Sequence, residues 1–236
     1  MNSLSIIGYG LNEEKNIYKF IKWANLFGKK FSNQYEIIYI DDGSSDSSKI
    51  ILKKIKKNNK NLKIIFNKSN KGSAYCFKKA TQISNKKFVL IQMIDLCYDV
   101  NLFSKNKNLL FNKKIDCLHG YRKNLIFNRS DNLKKSIISF CNFFLIGLLF
   151  GFKTKDFQNT YLISTYVLKG IKLYSKSSFI NAELILKLIN KKTKIKEVEV
   201  NFIRRKAGIA KGTRFPRIIE SIIDIFKFRI MFNKFF

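Results

Sequence analysis

Residues 34–48 read Gln-Tyr-Glu-Ile-Ile-Tyr-Ile-Asp-Asp-Gly-Ser-Ser-Asp-Ser-Ser, and the reading of this stretch decides the fold. The run at 36–40 is β-branched and aromatic, the composition of a buried strand. Asp41-Asp42-Gly43-Ser44-Ser45-Asp46 then supplies turn chemistry, and helical periodicity starts near Asp46. The same succession recurs on either side. Strand-like runs lie at 4–7, 62–66 and 88–92, and helical patterns start near Glu13 and Ser73. This β-α-β-α-β-α-β order predicts a mostly parallel α/β sheet with helices on both faces, whose ligands bind beyond the carboxyl ends of the strands.

Beyond residue 100 the alternation loosens. The pattern predicts a helix over 102–111, a strand over 116–118, a basic loop, and an apolar helix over 133–150. A helix over 180–190, a strand over 195–202, a second basic loop and a last helix opening near Pro216 follow; this is the only proline, and proline suits the first helical position. With no repeat and no Gly/Ser/Pro linker, the expectation is one domain over 1–213 with an amphipathic helical tail over 214–236.

The 236 residues carry 46 Lys+Arg against 16 Asp+Glu, a formal charge of +30. That balance favours polyanionic partners such as nucleic acid, anionic lipid or phosphorylated substrates, although a Lys, Asn and Ile surplus also follows from an AT-rich genome. A 46% hydrophobic content excludes a disordered chain. Cys76, Cys97, Cys117 and Cys141 form no CxxC pair, which argues against zinc or disulfide frameworks and for a reducing compartment. His119 is the only histidine, so multi-His metal sites are excluded. No basic region precedes the first strand, so a secretory leader is not expected. The apolar stretch 137–152 falls short of the ~20 residues of a spanning helix.

In so basic a chain the positions of the acids carry the information. Glu13 and Glu14, Asp41 and Asp42, and Asp95 and Asp99 each follow a predicted strand, all on the ligand-binding edge. Helix N-termini favour the same residues, so capping and a cation or nucleoside site are both open readings. Gly43-Ser44-Ser45-Asp46 and Lys71-Gly72-Ser73 match neither GxGxxG nor P-loop spacing, which argues against dinucleotide and kinase chemistry. The seven arginines all lie at or beyond residue 122, several of them in the two basic loops, and their planar forks suit phosphate better than lysine does.

Four stretches together resemble the family 2 glycosyltransferases, in the branch that includes dolichyl-phosphate mannose synthases and bacterial polyprenyl-phosphate glycosyltransferases. Leu11-Asn12-Glu13-Glu14-Lys15-Asn16-Ile17 is similar to the family's LNEExNI, and Asp41-Asp42-Gly43-Ser44-Ser45-Asp46-Ser47 to its DDGSxDxT. Asn70-Lys71-Gly72-Ser73-Ala74 resembles its NxGxxxA turn, and VNFIRRKAGIAK at 200–211 its late Arg/Gly/Lys motif. The family's Asp-x-Asp metal motif is altered. Aligned on Asp95-Leu96, its first Asp becomes Met93 and the later Gln becomes Cys97, so Asp95 is the one matching ligand for Mg²⁺ or Mn²⁺, with Asp99 four residues on.

The resemblance implies the GT-A fold and an inverting hexosyltransferase. It would move a sugar from a nucleotide-diphosphate donor to a polyprenyl phosphate at the cytoplasmic face of an anionic membrane, in cell-surface glycan synthesis. Leu11, Asn12, Glu13, Asp41, Asp42, Gly43, Ser44, Lys71 and Gly72 are then expected around the donor, Asp95, Arg204 and Lys211 in catalysis, and Arg122, Arg129, Arg204 and Arg205 around the acceptor phosphate. Three alternatives stay open: transfer to a sugar hydroxyl, with Glu183 or Asp156 as base; a catalytically silent sugar-nucleotide binder; and nucleic-acid binding, for which no recognition motif is present.

Overall fold

The computed structural model describes residues 2–122, 133–157, 160–203 and 215–235, and the structural statements below concern these. Its first half is β1 (Ser3–Gly10), α1 (Glu14–Phe31), β2 (Gln34–Asp41), α2 (Ser48–Lys57), β3 (Leu62–Phe66), α3 (Ser73–Ile83) and β4 (Phe88–Ile91). Then come β5 (Tyr98–Asp99), α4 (Asn101–Lys105), α5 (Lys107–Phe111), β6 (Cys117–Tyr121) and α6 (Leu133–Phe150). The chain continues through β7 (Tyr161–Ser164), α7 (Thr165–Lys169), α8 (Ile180–Asn190), β8 (Ile195–Glu199), β9 (Asn201–Phe202) and α9 (Phe215–Phe235).

Seven strands form one sheet in the order β3-β2-β1-β4-β7-β6-β8. β1 pairs in parallel with β2 and β4, β2 with β3, and β6 with β8; β7 alone runs antiparallel, between β4 and β6. The near-continuous apolar runs follow from burial on both faces. On one side Ile6, Ile37, Tyr39 and Leu90 pack against the α1 stripe of Ile17, Phe20, Ala24, Phe27 and Phe31, whose spacing of three and four residues keeps it on one helix face. At roughly 1.5–3 kcal/mol per large side chain buried, that stripe fixes α1 more firmly than its helix propensity does. On the other side Ile7, Ile38, Ile40 and Val89 meet α3, α6, α8 and α9. α9 joins this core through Ile225 and Phe228, the latter 5.4 Å from the Phe150 ring and 5.6 Å from that of Phe179.

The structure differs from the sequence reading in several elements, among them β5 and α7, for which the sequence pattern carried no expectation. The helix expected over 102–111 is broken at Asn106 into α4 and α5. The strand expected over 195–202 is interrupted at Val200, so that β8 pairs with β6 while β9 leaves the main sheet to pair with β5. β7 was not anticipated; four residues are too short to show a period.

Candidate active site

The parallel strands β1, β2, β3 and β4 end on one edge of the sheet, and their following loops are tied to one another there. Asn12, at φ +53°, donates its backbone N–H to Ser44 Oγ (2.8 Å), and its side-chain Oδ1 accepts from Ser45 N (2.8 Å). Glu13 N donates to Ser48 Oγ (3.1 Å) and Glu14 N to Asp46 Oδ2 (3.2 Å), while Glu14 Oε2 accepts from Ser47 N (3.0 Å). The β1–α1 and β2–α2 loops therefore cap each other's helices. Both open readings of the acids meet here, because the acids that line the edge also hold its loops.

Asp42 extends the frame to the third loop. Its Oδ1 accepts from Asn67 Nδ2 (2.8 Å) and Lys71 N (2.9 Å), and its Oδ2 from Gly72 N (2.9 Å), at the N-terminus of α3. The loops approach so closely at Gly43, where φ is +80°, that a Cβ would lie 2.7 Å from the Ser69 carbonyl carbon. Asp41 is fully buried. Its Oδ2 accepts from Ser44 N (3.1 Å), whereas its Oδ1 has no hydrogen-bond partner. A buried acceptor without a donor is costly, and a ligand N–H or O–H relieves that cost. Leu11, Lys71 and Gly72 lie in these same loops.

The loop after β4 carries Asp95, half-buried, whose Oδ1 accepts from Cys97 N (3.3 Å). Met93 is exposed. Burial and the neighbouring Asp95 push the Cys97 thiol well up, so it supplies no thiolate ligand near neutral pH. No group of three Asp, Glu, His or Cys ligands forms among the described residues. One carboxylate is nevertheless within the usual complement for Mg²⁺, which keeps several waters and takes its other ligands from substrate phosphates. Asp95 fits that role; a cage built from protein ligands alone does not fit these residues. Asp99 is turned to a structural task, its Oδ1 accepting from Asn101 N (3.0 Å) at the start of α4.

The described residues that flank the two basic segments lie beside this turn. β6 ends at Tyr121 opposite Glu199 of β8, and Ile203 N donates to Cys97 O (2.8 Å), so the chain enters 123–132 and 204–214 from neighbouring points. Arg129, Arg204, Arg205 and Lys211 lie outside the described residues. Arg122 is described, and it faces inward: Nε donates to Asp156 Oδ2 (2.6 Å), Nη2 to Asp156 Oδ1 (2.9 Å) and Nη1 to Ser139 Oγ (3.1 Å). Burial alone would lower the Arg122 pKa, but Asp156 outweighs it and raises it, so the guanidinium stays charged. With its fork spent on Asp156, Arg122 anchors the root of the 123–132 loop; this geometry corrects its expected role as a phosphate clamp.

Neither carboxylate considered as a base is free. Asp156 is 1% exposed and holds Arg122. Glu183 is fully buried, accepting from Tyr174 N, from Ser175 N (2.8 Å) and from Lys187 Nζ (2.5 Å). His119 is buried. The structure stacks its ring on Tyr161, with Nδ1 facing Thr154 Oγ1 (3.4 Å) and Glu197 Oε1 (3.8 Å). Sequence reading missed Asn67, Asp46 as a cap, and the Arg122–Asp156 pair. Each joins residues 25 to 34 positions apart, and no local signal marks such a pairing.

A mostly parallel seven-stranded sheet with helices on both faces and interlocked loops on its carboxyl edge is the architecture of the GT-A fold. The family model described as Glycosyl transferase family 2 matches residues 5–180, and the chain belongs to that family of transferases. Among curated proteins it is similar to the dodecaprenyl-phosphate galacturonate synthase of Rhizobium johnstonii, 23% identical over 230 residues that cover 95% of this chain and 67% of the relative. Glucosyl-3-phosphoglycerate synthase from Mycobacterium tuberculosis, solved with UDP, superposes with a TM-score of 0.69 at 15% identity, covering 97% of this chain and 80% of that one. TarS from S. aureus, residues 1–349 solved with UDP-GlcNAc, gives a TM-score of 0.62 at 17% identity, covering 91% and 62%. The chain thus spans about two thirds of the curated relative and somewhat less of the TarS fragment.

Proposed function

We propose that this glycosyltransferase moves a hexose, with inversion, from a nucleotide-diphosphate sugar to a polyprenyl phosphate or related lipid phosphate. The observation that carries the choice of acceptor is the burial of Asp156 and Glu183 in ion pairs, which removes both candidate bases. A phosphate acceptor is already anionic near neutral pH and needs none. The name of the R. johnstonii relative points to the same acceptor class.

In this reading the frame of Leu11, Asn12, Glu13, Asp42, Gly43, Ser44, Lys71 and Gly72 shapes the donor site, and Asp41 Oδ1 accepts a donor N–H or O–H. An acceptor phosphate oxygen bonds to the anomeric carbon from the face opposite the leaving group. The bond from that carbon to the diphosphate breaks, and its electron pair leaves with the nucleoside diphosphate. A divalent cation, held between Asp95 and the diphosphate, would neutralise part of the leaving charge. Arg204 and Lys211 add fixed positive charge to the diphosphate, and Arg129, Arg204 and Arg205 hold the acceptor phosphate. The two solved relatives contain UDP or UDP-GlcNAc, and further structures of the mycobacterial enzyme contain Mn²⁺, which supports this donor chemistry.

We place the catalytic unit at 1–213 and give the tail at 214–236 a role at the cytoplasmic membrane face. No helix among the described residues is long and apolar enough to cross a membrane. α6 leaves Phe144 and Leu148 exposed, and α9 leaves Ile223, Phe226 and Ile230 exposed near Lys227, the pairing of apolar and cationic groups that suits an anionic surface. Incubation with a panel of radiolabelled nucleotide sugars and a short-chain polyprenyl phosphate tests the proposal. Label is expected in the organic-soluble lipid, and transfer confined to glycan hydroxyls would reject it.

A further inference from the structure

At the far edge of the sheet, where β6 and β8 begin, a cavity of about 250 Å³ opens between the 170–174 segment, α8 and α9. Thr165 N donates to Lys87 O just before β4, which places the start of α7 on that edge, away from the donor loops. The cavity is apolar on the α9 side, with Phe228, Met231 and Phe232, and cationic on the other, with Lys172, Lys187 and Lys191. Lys187 is 7% exposed, its Nζ donating to Glu183 Oε1 and to Lys172 O (2.6 Å), with the Tyr174 ring 4.3 Å and the Phe228 ring 5.2 Å away. Lys191 Nζ donates to Gly170 O (3.1 Å), and Lys172 Nζ lies 5.4 Å from the Tyr174 ring.

An ammonium has three N–H donors, so these contacts use two on Lys187 and one on Lys191. Lys187 is paired with Glu183, and Lys172 and Lys191, both exposed, bring further ammonium donors to the mouth of the apolar slot. Exposed cations at the mouth of an apolar slot favour a ligand that brings both a counter-charge and a hydrocarbon part. At roughly 30 Å³ per water-sized group, the space holds about eight such groups: an anionic head and the first carbons of a chain. We infer that this cavity binds the phosphate head and proximal alkyl segment of a membrane lipid, at a site separate from the donor and acceptor sites. The inference does not depend on the proposed reaction.

The three methionines make the test site-specific, because Met231 lines the cavity, Met93 lies by the donor loops, and Met1 opens the chain. In a spectrum of methyl-¹³C-methionine protein, assigned with Met231→Leu, monomeric decyl phosphate is expected to move the Met231 signal saturably. The Lys172→Gln/Lys191→Gln variant should bind at least tenfold more weakly, with the Met93 signal where it stands in the wild type. Inorganic phosphate tests for a free anion and decanol for a purely apolar slot. Equal saturable shifts of Met231 with either, an unmoved Met231 signal, or unchanged affinity in the double variant would each overturn the inference.

Discussion

Replacing Asp42 with Asn tests whether this carboxylate holds the loops or faces the donor. The sequence suggests a solvent-accessible ligand whose loss weakens nucleotide binding at little cost to the fold. In the structure Asp42 is 5% exposed, and both oxygens accept from protein donors. Asn keeps one acceptor. With its amide nitrogen turned toward Gly72 N, it retains the Asn67 and Lys71 bonds without charge assistance; turned the other way, it orphans two donors. Gly72 N keeps a second acceptor in Asn70 Oδ1 (3.0 Å), which softens the first arrangement. Hydrogen bonds to charged groups are worth about 1.5–3 kcal/mol against about 0.5–1.5 for neutral ones, so with Gly72 N kept by Asn70 the two weakened bonds amount to roughly 2–3 kcal/mol. At an m-value of about 2 kcal/mol/M, the urea midpoint should fall by about 1–1.5 M. Urea titration with and without UDP reads this directly. An Asn variant with a wild-type midpoint but weaker UDP binding would refute the assignment and return Asp42 to the ligand.

Arg122→Lys should break the two-pronged pair with Asp156 and cost about 3 kcal/mol in thermal unfolding, whereas Arg129→Lys and Arg204→Lys should leave stability alone and lower acceptor turnover. Met93→Asp places a second carboxylate on an exposed position two residues before Asp95 and should lower the Mg²⁺ concentration needed for half-maximal activity; an unchanged titration curve would separate Met93 from the cation. Burial pushes the Glu197 carboxyl up, but His119, Thr154 Oγ1 (2.6 Å) and Lys155 N (2.8 Å) bring it down to about 2 from an ordinary 4.5. A lowered folded pKa gives stability that is present above about 4.5 and lost as pH falls toward about 2, of order 1–2 kcal/mol for a group this exposed. Glu197→Gln should flatten that part of the acid-unfolding profile.

The parallel half of the sheet was legible because each of its strands is a short apolar run followed by a turn and a helix with its own period. The loop residues could be placed on the edge for the same reason, since strand ends locate them. What the sequence did not show is direction. Asp42, Asp46 and Glu14 sit where a ligand-binding acid or a capping acid would sit, and only the loop geometry shows them capping one another. Arg122 illustrates the same limit from the other sign of charge. Its place in a basic loop root suggested phosphate, but its partner arrives from 34 positions away, after α6. β7 and the break at Val200 were hidden because two to four residues carry no measurable period.

The altered cation site and the concentrated arginines become related through this arrangement. In the proposed reaction, with Met93 in place of a carboxylate, a cation at Asp95 would have one fewer charged ligand, while the leaving diphosphate would carry the same negative charge. The deficit has to be met by charge that does not dissociate. Lysine is abundant everywhere in the chain, so general basicity cannot meet it at one point; a local source must enter beside Asp95. The hydrogen bond from Ile203 N to Cys97 O fixes Ile203 beside the Asp95 turn, and β6, paired with β8, ends at Tyr121 on the same edge. The acids of that edge, meanwhile, are held in place by backbone N–H groups. Under the proposed reaction, the acid-capped frame would hold the donor and the arginines and lysines of 123–132 and 204–214 would offset the leaving charge, so the loss of one metal ligand would be compatible with transfer chemistry.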